Sequence, residues 1–171
     1  MRLPLLLPLL VAITVGTDTV LAQINGRPPI VAGQFGFDVN NGSTGAGTLC
    51  SGFSCTAATL NTKGGEKLTF GIRAPQNAPY FVIVGPSSAL CQTFPGFLNK
   101  WVVPVTILIP GTVNQRDTGP RCFGYKSNFT IPVPNNIPKG SKASVQALAV
   151  VQDINNRTLP AFSSPIDIKV P

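Results

Sequence analysis

The alternation of apolar and polar residues near the end of the chain constrains the fold more than any other sequence feature. In residues 166–170, isoleucine and valine alternate with Asp167 and Lys169, which is the period of a β-strand buried on one face. The strand predicted before it, residues 143–152, is apolar at its middle on both faces and polar at its ends. Such a strand is buried on both faces at its middle and exposed to solvent at its ends, as in the interior of a β-sandwich.

Similar patterns recur along the chain and predict about seven strands. The 17 glycines and 17 prolines are spread along the sequence, which suits short strands joined by turns and disfavours helices. The predicted fold class is therefore all-β, an antiparallel β-sandwich of the immunoglobulin or fibronectin type. The predicted strands are residues 30–39, 67–73, 80–84, 101–109, 129–133, 143–152 and 166–170, with residues 159–164 as an apolar linker.

The first residues of the chain have the features of a secretory signal peptide. Arg2 is followed by a short apolar run, and the segment ends in the small residue Ala22. The run is shorter than the roughly 18 residues needed to span a membrane, and it contains two prolines. We expect a secreted, extracellular protein without a membrane span after cleavage. The predicted organisation is a signal peptide (1–22), a flexible or strand-bearing extension (23–49) and a sandwich domain (50–171).

Four cysteines follow the predicted cleavage site: Cys50, Cys55, Cys91 and Cys122. In an exported chain an even number of cysteines indicates disulfides, and four cysteines allow three pairings. We favour Cys50 with Cys55, which closes a small loop, and Cys91 with Cys122, which joins the ends of the long middle connection. A metal site is disfavoured because the chain has no paired C-x-x-C spacing and no histidine.

The absence of histidine also excludes several kinds of catalytic site, among them Ser-His-Asp and Cys-His catalysis and histidine-ligated zinc or copper. Hydrolysis by paired carboxylates needs two acids that face each other across a cleft. The few acids after residue 22 are expected at turns or on the surface instead. We therefore expect no enzymatic activity and no cofactor. These acids are Asp38, Glu66, Asp117, Asp153 and Asp167.

Several segments between Cys50 and Val170 occur in an order that is shared with a known family. They are a leader that contains Cys50 and Gly52, the strands 66–73 and 80–84 bridged by 74–79, the Ile-Pro-Val-Pro-Asn-Asn segment 131–136, residues 146–153, and the turn containing Ser163 and Ser164. In these features the chain resembles a small secreted β-sandwich module of exported planctomycete-type bacterial proteins. The resemblance implies a fold and an export route. It implies no activity and no site residues.

One segment of the chain is rich in aromatic residues. Phe94, Phe97 and Trp101 lie close together, with Lys100 beside them. On a loop, such rings stack on sugars or anchor a protein partner. The alternative is that they plug one end of the sandwich, because clustered aromatic residues are usually part of a core.

Basic residues collect in the middle insertion, residues 110–126, which contains Arg116, Arg121 and Lys126. They form a candidate patch for an acidic polymer, or they keep the protein soluble. The chain has no dense basic run and no interleaved aromatic motif of the kind found in nucleic-acid binders, so no nucleic-acid partner is expected. Asn41, Asn128 and Asn156 fit the N-glycosylation pattern, which matters only in a eukaryotic host.

These observations lead to two hypotheses of function. The first is a secreted, non-enzymatic binding or adhesion module that recognises an extracellular polysaccharide or a surface protein. Its ligand would contact the aromatic segment and the basic insertion. The second is a structural component of the cell envelope or extracellular matrix that self-associates through exposed strand edges.

Overall fold

The computed structural model describes residues 35–48, 53–87, 90–117, 124–152 and 157–171. In these ranges the regular structure consists of thirteen β-strands and no helix, which confirms the all-β class. The predicted count of about seven is too low, because several short strands of two to five residues carry no regular apolar alternation. The strands are β1 (Gly36–Asn40), β2 (Gly45–Thr48), β3 (Ala58–Asn61), β4 (Lys67–Arg73), β5 (Pro79–Gly85), β6 (Gln92–Thr93), β7 (Lys100–Trp101), β8 (Ile107–Thr112), β9 (Gln115–Arg116), β10 (Tyr125–Pro132), β11 (Lys142–Gln152), β12 (Thr158–Phe162) and β13 (Ile166–Lys169).

The strands form two main sheets and one small one. The first sheet has the order β2-β1-β4-β10-β9, and the second has the order β3-β13-β11-β5-β8, with β12 also paired to β11. Strands β6 and β7 form a separate antiparallel pair. The pairs within the two main sheets are antiparallel except β13 with β3, which is parallel.

The core lies between the two main sheets and is built from alternate residues of their strands. Strand β4 has the predicted bounds and buries Leu68, Phe70 and Ile72. The ring of Phe70 stacks on that of Phe129 from β10, with centroids 4.9 Å apart. Burial of a large apolar side chain contributes about 1.5–3 kcal/mol, so this alternation supplies much of the stability of the sandwich.

Strand β1 belongs to this core. Phe35, Phe37 and Val39 are buried, and β1 pairs with both β2 and β4. Residues 35–48, which the sequence assigns to a flexible or strand-bearing extension, carry β1 and β2 and complete the first sheet. The predicted signal peptide and residues 23–34 lie outside the described residues.

The predicted strands of the last third are β11 and β13, and Ile166 and Ile168 are buried as expected. The predicted linker at residues 159–164 is wrong, because β12 pairs antiparallel with the second half of β11. The predicted strand at 101–109 is also interrupted. Only its ends are paired, in β7 and β8, and Pro104 lies between them.

The disulfide found in the described residues joins Cys55 to Cys91, whose Cα atoms are 5.9 Å apart. The favoured pairing, Cys50 with Cys55 and Cys91 with Cys122, is therefore wrong. Cys55 precedes the edge strand β3, and Cys91 begins a segment that folds back over the same sheet, so the fold brings together cysteines that are 36 residues apart. Cys50 and Cys122 lie outside the described residues.

Candidate functional site

A second apolar cluster lies on the outer face of the second sheet. Ile83 and Leu148 belong to it, whereas their chain neighbours Val82 and Ala147 are in the main core, so the two clusters lie on opposite faces. Residues 90–103, which contain β6 and β7 and are called the aromatic hairpin below, cover this face. The members of the cluster from the hairpin and β12 are Val103, Phe162, Phe97 and Trp101.

The side chain of Gln146 ties the hairpin to β11. It is completely buried, and its Oε1 accepts hydrogen bonds from the N–H groups of Val102 (2.9 Å) and Val103 (3.2 Å). Its Nε2 donates to the carbonyl oxygens of Lys100 (2.9 Å) and Ser163 (2.8 Å). Every polar position of the amide has a partner, so its burial leaves no unsatisfied group. The sequence predicts that the polar ends of this strand are exposed to solvent, and this prediction is wrong at Gln146.

Four further contacts hold the middle and the start of the hairpin. The N–H of Leu98 donates to the carbonyl of Pro160 (2.8 Å), and the N–H of Phe162 donates to the carbonyl of Leu98 (3.1 Å). The side chain of Asn99 donates to the carbonyl of Phe162 (2.8 Å). The disulfide at Cys91 fixes the start of the hairpin. The hairpin is thus attached at several points to strands of the second sheet and to the segment that precedes β3.

The aromatic residues form a continuous array from the interior to the surface. Phe162 is buried, and the ring of Phe97 stacks on it with a centroid distance of 5.4 Å. Phe94 lies 6.3 Å from Phe97 and 5.4 Å from Trp101, and it is 37% exposed. The rings therefore differ in their surroundings, and they cover the outer face of the second sheet rather than one end of the sandwich. Phe97 packs against the cluster, and Phe94 is presented to solvent.

The surroundings of Phe94 and Trp101 are polar. Gln92, Thr93 and Lys100 are exposed on the β6–β7 pair, and Trp101 is half-buried. The indole N–H of Trp101 donates to the carbonyl of Val103. Because that donor is used within the hairpin, the ring face of Trp101, rather than its N–H group, is the part suited to contact a ligand.

The basic residues do not lie on the same sheet as the aromatic hairpin. Arg116 is exposed on β9, and Lys126 is half-buried on β10, both in the first sheet. Arg121 lies outside the described residues. The structure therefore places the described part of the predicted basic patch apart from the hairpin.

Two of the acids expected at turns or on the surface form an ion-pair network with Arg73. The guanidinium contacts Asp38 through its NH1 group and Asp117 Oδ2 through Nε (3.1 Å), and Asp117 is buried. A Cβ on Gly71 would lie 2.7 Å from Asp38 Oδ1, so glycine leaves room for that carboxylate. The expectation for Asp38 and Asp117 is therefore wrong, since both stabilise the first sheet through an interaction that no local pattern shows.

Glu66 and Asn41 form a polar network at one end of the sandwich. Glu66 Oε2 accepts hydrogen bonds from the N–H of Lys63 (2.9 Å), the hydroxyl of Thr62 (2.9 Å) and Asn41 Nδ2 (3.2 Å). The hydrogen bond from the backbone of Lys63, followed by that from Thr62, lowers the pKa of Glu66 below its ordinary value. Asn41 Nδ2 also donates to the carbonyl of Asn61 (3.1 Å).

The glycosylation candidates differ in their surroundings. The amide nitrogen of Asn41 is used in the network described above. Asn128 is exposed within β10, opposite Gly71 of β4. Asn156 lies outside the described residues.

Comparisons with protein-family models and with curated proteins return no match for this chain. Within the described ranges, no group of three or more histidine, cysteine, aspartate or glutamate side chains is placed to hold a metal ion. The same residues contain no helix with the length and apolar character needed to cross a membrane.

Proposed function

We propose that this chain is a secreted, non-enzymatic binding or adhesion module and that the aromatic hairpin is its binding element. The observation that carries the proposal is the presentation of Phe94. Its ring is 37% exposed on a segment that Gln146, Leu98 and the Cys55–Cys91 disulfide attach to the sandwich. An exposed ring on a well-anchored segment has an apolar surface to offer and little freedom to lose when a ligand binds.

The hairpin suits a ligand with an apolar face and polar edges. The rings of Phe94 and Trp101 offer an aromatic surface, against which a sugar ring or an apolar side chain packs. Lys100, Gln92 and Thr93 supply hydrogen-bonding groups around that surface. The expected partner is therefore an extracellular polysaccharide or a surface protein. Most of the binding energy is expected to come from Phe94, since a few central aromatic residues dominate such interfaces.

Two features support an extracellular location. The sequence of residues 1–22 has the organisation of a signal peptide. The Cys55–Cys91 disulfide is of the kind that persists in oxidising compartments.

The sequence suggests that the basic residues of the insertion contact the ligand, and this proposal gives them another role. Arg116 and Lys126 belong to the first sheet, so they are not expected to contact a ligand held by the hairpin. We assign the net charge of +7 a role in solubility and in attraction of acidic partners at long range.

The experiment that tests the proposal is a binding screen with the mature chain, residues 23–171. Extracellular polysaccharides and matrix proteins are presented at low and at physiological salt, and the bound fraction is measured for the wild type, Phe94→Ala and Phe94→Trp. The proposal expects saturable binding that survives physiological salt, is lost in Phe94→Ala and is kept in Phe94→Trp. Lys139→Ala, an exposed change outside the hairpin, is the control and should bind like the wild type.

A further inference from the structure

A strip of exposed aliphatic side chains follows β8, an edge strand of the second sheet. Ile107 is 55% exposed, and Val105 and Leu108 are each 37% exposed. In the described residues β8 pairs with β5 on one side, and no strand pairs with its other side. An unpaired apolar edge of this kind is a template for pairing with another strand.

The other edges of the two sheets lack this character. Strand β2 consists of small residues, and β9 has two residues, one of them Arg116. Strand β3 has one large aliphatic residue, Leu60, and it is buried. Strands β2 and β3 also contact each other at one side of the sandwich. Strand β12, which among the described strands pairs only with β11, contains Pro160, and its Leu159 is half-buried. Among the described edges, β8 is therefore the one that exposes large aliphatic side chains.

The charge distribution favours a second copy of this chain as the occupant of that edge. The protein carries a net charge of +7, but residues 101–115 contain no charged side chain. Charged side chains and prolines are the usual means of blocking an edge strand. In β8 the only residue of this kind is Pro110, which lacks an N–H and lies beyond Leu108. Two copies can therefore bring their β8 strands together without placing like charges opposite each other.

We propose that β8 pairs antiparallel with β8 of a second copy, which forms a dimer with two-fold symmetry. Ile107 and Leu108 of each copy lie at the centre of the pairing, where each covers apolar surface of the other copy. Pro110 limits the ladder to the part of the strand before it. Because each copy contributes the same edge and the described part of the chain has no second apolar edge, the pairing closes at two copies and does not extend into a filament.

The dimer is tested by sedimentation velocity on the mature chain, residues 23–171, from low micromolar concentration up to about 1 mM. We expect a concentration-dependent equilibrium between monomer and dimer in the wild type. The double change Ile107→Lys with Leu108→Lys should raise the dimer dissociation constant by at least about tenfold. Both side chains are exposed, so the fold should survive, which circular dichroism checks. Thr59→Lys on the β3 edge is the matched control and should dimerise like the wild type.

Three results would overturn the proposal. One is a wild type that stays monomeric over the whole range. Another is an assembly that the double variant does not weaken. The third is a monomer whose β8 amides are strongly protected from hydrogen exchange, because the edge would then be covered by another part of the same chain.

Discussion

The side-chain oxygen of Gln146 accepts a hydrogen bond of 2.9 Å from the backbone N–H of Val102, which lies 44 residues before it in the chain. This contact joins β11 of the second sheet to the aromatic hairpin. With the further hydrogen bonds of the same amide to Val103, Lys100 and Ser163, it makes this buried side chain one of the anchors of the proposed binding element.

Replacement of this amide should weaken both the fold and the hairpin. Gln146→Leu leaves buried backbone groups without partners, and we expect the free energy of unfolding to fall by about 2–3 kcal/mol. Denaturant titration measures the loss. Trp101 is the single tryptophan and lies in the hairpin, so its fluorescence reports on the hairpin directly. The control Gln152→Ala, at the half-buried end of β11, should change stability by less than about 0.5 kcal/mol. Equal effects of the two changes would contradict this role for Gln146.

The Cys55–Cys91 disulfide gives a second prediction. Trypsin cuts after Lys63, Arg73 and Lys100, so Cys55 and Cys91 fall in different peptides. Mass spectrometry of an unreduced digest should find the peptide that ends at Lys63 linked to residues 74–100. In Cys55→Ser the thiol of Cys91 should become free. A direct link between residues 74–100 and the peptide that contains Cys122 would show that this pairing is wrong.

Loss of the disulfide should also lower stability. It closes a loop between residues 36 positions apart, and loops of this size are worth about 3–4 kcal/mol in chain entropy. The double change Cys55→Ser with Cys91→Ser should therefore unfold at lower denaturant concentration while it keeps the β-rich circular dichroism spectrum. Unchanged stability would mean that the hairpin is held without the disulfide.

The network around Glu66 predicts a dependence of stability on pH. Its pKa is lowered from the ordinary 4.5 in the folded protein, so its contribution is complete above that value and is lost as the pH falls through the lower folded pKa. Glu66→Gln should therefore flatten the fall in melting temperature below about pH 4.5. Thermal unfolding followed by circular dichroism tests this. A variant whose melting temperature falls as steeply as that of the wild type would exclude Glu66 as the source.

The two described glycosylation candidates should behave differently if the chain is secreted from a eukaryotic host. Asn128 is exposed on a strand, whereas Asn41 Nδ2, the atom that would carry the sugar, donates to Asn61 and Glu66 in the folded protein. We expect Asn128→Gln to remove a mass that is sensitive to peptide N-glycosidase F, and Asn41→Gln to leave that mass unchanged but lower the melting temperature. Modification at Asn41 in the folded, secreted protein would contradict this prediction.

The parts of the fold that local patterns predict are those with regular alternation. Strand β4 has its predicted bounds because Leu68, Phe70 and Ile72 alternate with polar residues or glycine. Local patterns do not predict β12, because Pro160 lies in a short apolar stretch without alternation. The segment is a strand through its pairing with β11.

The candidate site can be predicted only in part from the sequence, because its geometry also depends on contacts between residues that are distant in the chain. The clustering of Phe94, Phe97 and Trp101 pointed to the hairpin, but the exposure of each ring depends on the sheet beneath it. Glutamine is usually found at the protein surface. Gln146 is buried because its side chain forms hydrogen bonds with backbone groups that lie far away in the chain. The pairing of Cys55 with Cys91 depends on the same folding of the hairpin over the sheet.

The measurement that tests the central claim most directly is the binding of wild type and Phe94→Ala to the same panel of extracellular polysaccharides and matrix proteins at physiological salt. The account predicts saturable binding of the wild type to one class of ligand. It also predicts a loss of at least about tenfold in affinity for Phe94→Ala, with an unchanged unfolding transition. Equal binding by the two proteins, or no binding by the wild type, would contradict a recognition role for the aromatic hairpin.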